Sequence, residues 1–200
     1  MTAVIGAADA TRGDRVVLSL DSGGGTVTGY GLGASQLQRL RDAGLHLTVC
    51  IDEVACSGGY MMACVADEIV AAPFASLGSI GVVTTVPNIS ERLKREGVQV
   101  DEITSGKFKR TLTPFKTTRA EDREKVQSEL NDMMKIFKSH VAHYRPHLNI
   151  DELATGEVWP ALEGISRGLC DKLGTVDDLI LQLIRSGADV YSGDHVRLCH

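Results

Sequence analysis

The stretch "IDEVACSGGYMMACVADEIVAAP", residues 51–73, decides the fold. The apolar run "LHLTVCI" (45–51) leads into it and reads as a strand. "SGGYMMACVAD" (57–67) then reads as a helix entered through small residues, and "EIVAAP" (68–73) as another short strand. Strand, tight turn, helix and strand make a right-handed βαβ crossover, and hence a mostly parallel sheet. Ser57 sits alone at the turn, between Cys56 and two glycines. It is either a nucleophile presented from the bend or a small residue that lets the chain bend.

Working outward, "RVVLSL" (15–20) reads as a buried strand, ended by the glycine run "DSGGG" (21–25). "GASQLQRLRDAG" (33–44) has helical apolar spacing and a glycine stop. "NISERLKREG" (88–97) predicts a short helix, and the alternation in "VQVDEI" (98–103) predicts a strand. Thr118 and Glu121 have capping-box spacing before a long helix. Val126, Leu130, Met133, Phe137, Val141 and Tyr144 mark one of its faces, and Pro146 ends it. Residues 150–186 read as shorter helices with strand-like pieces, and 187–200 as a polar tail. The opening "TAVIGAADAT" (2–11) reads as a helix already under way, which points to a fragment lacking an upstream strand.

The chain has 200 residues, 43% of them hydrophobic and 24% charged, enough for one core-bearing domain. A net charge of −5 argues against nucleic acid as a partner. No apolar run approaches the length of about 18 residues needed to cross a membrane. The five cysteines are odd in number and form no C-x-x-C, so neither a disulfide framework nor a zinc site is suggested. Cys56 alone adjoins Ser57, and as a nucleophile it would need a partner from elsewhere. His140, His143 and His147 lack a carboxylate pattern and read as a solvated face. Trp159 reads as a packing anchor, while Met61 and Met62 read as core or groove.

A serine hydroxyl needs a base. The six histidines include none between positions 47 and 139, around Ser57. "ACSGG" is also not the G-x-S-x-G of the α/β-hydrolases. Lysine is the other base a serine can use, provided that burial or a nearby cation keeps it neutral. "TSGKFKRTLTPF" (104–115) supplies Lys107 and Lys109 around Phe108, and the residues alone do not choose between them. A helix opening at Ser57 would aim the Gly58 N–H at an oxyanion. The "DSGGG" run could form a second anion-binding nest, or only a flexible turn.

Taken in order, "DSGGG", "ACSGGYMMACVADEIVAAPFASLGSIGV" and "SGKFKRTLTPF" resemble the signal peptide peptidase A family of serine proteases, family S49. Its SohB-like subgroup shares runs similar to "GYGLGASQLQRLRDAG" and "ATGEVW". The resemblance covers roughly residues 3–185. It implies an α/β, ClpP/crotonase-like fold, with a catalytic domain over 1–186. By position, Ser57 matches the nucleophile and Lys109 the general base. Ser79 matches a serine that orients the lysine, and Gly24 with Gly58 the oxyanion hole. Gly23 stands where the family usually has proline, which loosens this loop in the unfolded chain by up to about 1 kcal/mol. The resemblance implies peptide substrates such as membrane-derived signal-peptide remnants, no cofactor or metal, and a homo-oligomer. It also implies a bacterial inner-membrane parent whose anchor lies outside these residues. Two other readings compete. One is a crotonase-type acyl-CoA enzyme, for which Glu53 and Asp67 are available carboxylates. The other is a catalytically silent scaffold.

Overall fold

The apolar run after Asp14 forms the first strand, β1 (Arg15–Ser19), in the computed structural model, which describes residues 1–192. A short helix, α1 (Thr2–Ala7), precedes it, followed by a 3-10 turn capped by Asp9 and closed by Gly13. β1 pairs in parallel with β2 (His46–Ile51), and β2 with β4 (Glu68–Ala71). β4 in turn pairs in parallel with β7 (Lys172–Leu173). Leu47, Val49, Cys50 and Ile51 are fully buried, as a central parallel strand covered on both faces requires.

A second sheet holds three short strands that the sequence pattern did not reveal as a set. β3 (Val54–Cys56) runs parallel to β5 (Ser76–Gly78), and β6 (Val158–Pro160) pairs antiparallel with β5. The chain divides into two compact units. One is built from Met1–Gly81 with the segment from Phe137 onward, and the other is Val82–Ile136. Both sheets belong to the first.

The helix after the glycine run, α2 (Val27–Asp42), starts six residues before the predicted position. Thr26 caps it, accepting the Gly29 N–H. Gly29, Gly31 and Gly33 each lower helix propensity by about 1 kcal/mol, which hid the first turns. Packing explains Gly33: a methyl group there would lie 2.8 Å from Met62 Sδ on the next helix. That helix, α3 (Gly58–Ala63), is wholly buried and stops four residues before its predicted end. Residues 64–66 continue as tighter turns, with Val65 N–H on Met62 O and Ala66 N–H on Ala63 O.

The second unit contains α4 (Ser90–Arg95) and the start of α5 (Ala120–Tyr144). The predicted strand at 98–103 is absent. Val98, Val100 and Ile103 are exposed, and no described strand lies in this unit to pair with them. The cap of α5 is also displaced from the predicted Thr118–Glu121 pair. Asp122 accepts the Arg119 N–H and guanidinium, while Thr118 Oγ1 accepts from the Asn88 amide. On the predicted α5 face, Phe137 and Val141 are fully buried and the other four positions half-buried.

After α5 come α6 (Ile150–Leu153), α7 (Ala161–Gly164) and α8 (Val176–Arg185), the last with a Thr175–Asp178 capping box. No described helix is long and apolar enough to cross a membrane. The predicted tail falls partly beyond the described residues, as do Cys199, His195 and His200.

Arg145, just past α5, is 4% exposed and makes a two-pronged ion pair with Asp171 at 2.9 and 2.6 Å. Its guanidinium also donates to Gly168 O. Asp171 accepts the Ile69 N–H at 2.7 Å, tying the end of α5 to β4. Burial works against the Asp171 carboxylate, but the Arg145 bonds and the Ile69 N–H outweigh it and hold its pKa below the ordinary value. Replacement by Asp171→Asn strands a buried guanidinium and should cost about 3 kcal/mol in urea unfolding. The lowered folded pKa means that this contribution is fully present above about pH 3.9 and is lost as pH falls through the folded value. Wild-type melting temperature should therefore drop more steeply than that of Asp171→Asn between about pH 5 and about pH 1.

Candidate active site

Ser57 links β3 to α3 and has φ 53° and ψ −119°. A positive φ outside glycine costs on the order of 1–3 kcal/mol, so the surroundings must hold it. Its N–H donates to Gly78 O at 2.8 Å, and its carbonyl accepts the Met61 N–H at 3.0 Å. The turn is thus fastened on one side to β5 and on the other to the first turn of α3. The Gly58 N–H lies in that first turn, where an intrahelical acceptor is lacking.

Gly24 adopts φ 100° against this turn. A methyl group on it would lie 2.7 Å from Ser57 Cβ, 2.8 Å from Cys56 O and 2.8 Å from the Gly58 nitrogen. Only glycine lets the loop approach so closely. The Gly24 N–H itself donates to Ser22 Oγ at 3.2 Å.

Register places Ser79 beside Ser57. Cys56 pairs with Gly78, so the two serines each follow a paired residue on adjacent parallel strands, and the Ser57 N–H donates to Gly78 O. Ser79 also has a positive φ, 49°, and its N–H donates to Glu157 O at 2.6 Å. Gly78, which accepts the Ser57 N–H and precedes Ser79, is covered by Trp159, whose ring would lie 2.9 Å from an added methyl. Trp159 is buried and is a packing anchor, with the Arg167 guanidinium 5.0 Å above its ring.

The Cys56 thiol is buried, its pKa raised by that burial, and it points at Ser76 O at 3.6 Å. Such a thiol is a poor nucleophile. Cys50, Cys64 and Cys170 are likewise buried free thiols, pushed up by burial to about 12, 12 and 11. His140 is half-buried, with Nε2 2.9 Å from Met61 O and its pKa lowered by burial, while His143 is exposed. Among the described residues no group of His, Cys, Asp and Glu could hold a metal ion. Met61 and Met62 are buried, so they belong to the core.

Residues 39–190 match the model of peptidase family S49, and residues 1–37 match its N-terminal model. The chain belongs to peptidase family S49. A protein named "Probable protease SohB" from Haemophilus influenzae is 51% identical over 172 residues, covering 86% of this chain and 49% of the relative. Proteins of the same name from two Buchnera aphidicola subspecies are 50% and 47% identical, each over 86% of this chain and over 56% and 51% of the relative. The chain thus spans about half the length of these relatives. The expected ClpP-like α/β class, with its mostly parallel sheet and flanking helices, is the one observed for this S49 chain.

Lys109 lies in the unit Val82–Ile136 and is exposed there. Its backbone N–H donates to Gly106 O, and among the described residues its ammonium has no hydrogen-bond or ion-pair partner. Lys107 differs, since it pairs with Glu121 at 2.8 Å and lies over the Phe108 ring. Sequence reasoning missed Ser22 and Tyr30 as supports of the turn. The lone aromatic in the glycine-rich "GGGTVTGYG" (23–31) was the available signal for Tyr30.

Gly24→Ala should lower the melting temperature, because the added methyl would meet Ser57 Cβ, Cys56 O and the Gly58 nitrogen, while leaving β1 and β2 folded. Circular dichroism should match wild type, since the collision is confined to the turn.

Proposed function

We propose that this chain is the catalytic portion of a serine endopeptidase with a Ser57–Lys109 dyad. The single observation that carries the reading is the strained Ser57 turn, closed by Gly24 and fastened to β5. A residue that served only to bend the chain would be glycine at φ 53°, whereas a serine there presents its hydroxyl at a defined place.

In this mechanism Ser57 Oγ attacks the peptide carbonyl while neutral Lys109 takes its proton. The N–H groups of Gly24 and Gly58 stabilise the tetrahedral oxyanion, each donor contributing about 2.7–4 kcal/mol. Lys109 then protonates the leaving amine, and a water that it activates hydrolyses the acyl-enzyme. Ser79 orients the lysine. Lys107 is a weaker candidate for the base because its ammonium is already engaged by Glu121 at 2.8 Å. The substrates are peptides with small or apolar residues near the scissile bond, such as remnants of membrane-inserted signal peptides.

The acyl-CoA reading is disfavoured by the carboxylates it would need. Asp67 is occupied structurally, pairing with Arg41 at 2.8 Å and accepting the Leu47 N–H. Glu53 is exposed.

Exposure of Lys109 in a single chain fits a base that is sheltered in a homo-oligomer. A fluorophosphonate should label Ser57 in wild type and fail in Lys109→Ala; equal labelling of the variant would remove lysine from the base role. Peptide cleavage should be absent while the lysine is an ammonium and should rise with pH as it deprotonates. Mixing inactive Ser57→Ala and Lys109→Ala proteins should restore cleavage if the dyad is shared between copies, and sedimentation should show an assembly larger than one chain.

A further inference from the structure

We propose that Tyr30 and Ser22 form a hydroxyl pair that sets the oxyanion loop, with Tyr30 as a positioning residue touched by both halves of the hole. The inference rests on the peptidase reading above. Tyr30 Oη and Ser22 Oγ are 2.6 Å apart, and Ser22 Oγ accepts the Gly24 N–H at 3.2 Å. That bond closes a side-chain turn around Gly23, the position at which the chain lacks a stiffening proline.

The Tyr30 ring carries the other half. Tyr30 is 6% exposed, near the start of α2. Gly25 approaches it so closely that a methyl group would lie 2.8 Å from Cε2. Gly58 lies directly against Cγ, with no room for a side chain. One rigid ring therefore defines where the Gly23–Gly25 loop and the Ser57–Gly58 turn meet. Its hydroxyl, through Ser22, fixes the rotation of the Gly24 peptide. At 3.2 Å the Ser22–Gly24 bond is at the long end of the range, so an arriving oxyanion can share that N–H.

Ser22 is held independently of its hydroxyl. Its N–H donates to Val54 O at 2.8 Å and its carbonyl accepts the Cys56 N–H at 3.0 Å. Removing the hydroxyl thus releases the Gly24 peptide without releasing Ser22. This separates a positioning role from a structural one.

The test uses Tyr30→Phe, Ser22→Ala and Ser22→Thr in the protein, with kcat measured per site titrated by a fluorophosphonate. Tyr30→Phe and Ser22→Ala should each lower kcat about three- to tenfold, the size of one lost neutral hydrogen bond, with KM unchanged. The double variant should lose no more than either single one, because both act through one chain of bonds. Ser22→Thr should restore most of kcat, and the rising pH limb should not move in any variant. Wild-type kcat per titrated site in the single variants, additive losses, or losses confined to KM would each overturn the proposal. Ser22→Ala covers the case in which Tyr30→Phe does not fold. A wild-type protein that neither cleaves peptide nor labels at Ser57 would overturn the peptidase reading as well. Active wild type with unaffected variants overturns this inference alone.

Discussion

Among the described residues one isolated parallel bridge, Ser22 beside Ala55, ties the chain leaving β1 to β3, and the Ser57 turn depends on it. β1 belongs to the four-stranded sheet, and β3 to the three-stranded one. The chain leaving β1 crosses between them and makes two short backbone bonds to β3, through Ser22 N–H and Ser22 O. Those bonds are what bring Gly24 within a methyl's reach of Ser57. Gly59 completes the crossing, because a side chain there would collide with Ser22 O. Glycine at 24, 58 and 59 is thus a requirement of geometry at one crossing, and loop flexibility is a by-product.

The strain at Ser57 is carried by groups away from the turn. α3 is fixed at its far side by Tyr60, whose buried hydroxyl donates to Leu169 O at 3.1 Å. Burial raises the Tyr60 pKa far beyond its ordinary value, so the group stays a neutral donor. Leu169 belongs to the same turn that accepts from Arg145, through Gly168 O. The helix behind Ser57 and the end of α5 are therefore locked to one segment before β7. A backbone costing on the order of 1–3 kcal/mol persists because the turn is fastened at Ser57 and the helix after it at Tyr60.

The elements legible in the sequence were those with enough residues to show a period. β1, β2, β4 and α5 carry long apolar patterns, and each was found close to its true position. β3 and β5 have three residues apiece, shorter than a period-2 pattern needs, and β5 was hidden within a run of small residues. Residues 98–103 show the opposite failure: alternation was present, but among the described residues no strand pairs with it. At the site, the turn between strand and helix already singled out Ser57 and Gly58, the resemblance to S49 added Ser79 and Gly24, and all four lie in the first compact unit. Ser22 and Tyr30 were invisible because a serine in a glycine run and a tyrosine in a helix declare no contact. Their pairing is a tertiary fact, eight residues apart in sequence and set by the angle of α2.

The two members of the proposed dyad are prepared in very different degrees. Ser57 is fastened on both sides, whereas Lys109 is an exposed side chain on a turn. A lysine acts as a base only where its surroundings keep it neutral. The glycine cradle cannot supply that, because N–H donors favour negative charge and leave an ammonium's desolvation untouched. The shelter has to come from surface packed around the lysine, which in the proposed assembly is contributed when copies meet. The Ser57 turn is thus held by its own backbone bonds and by the close approach of Gly24, whereas Lys109, in the other compact unit, has no side-chain partner among the described residues.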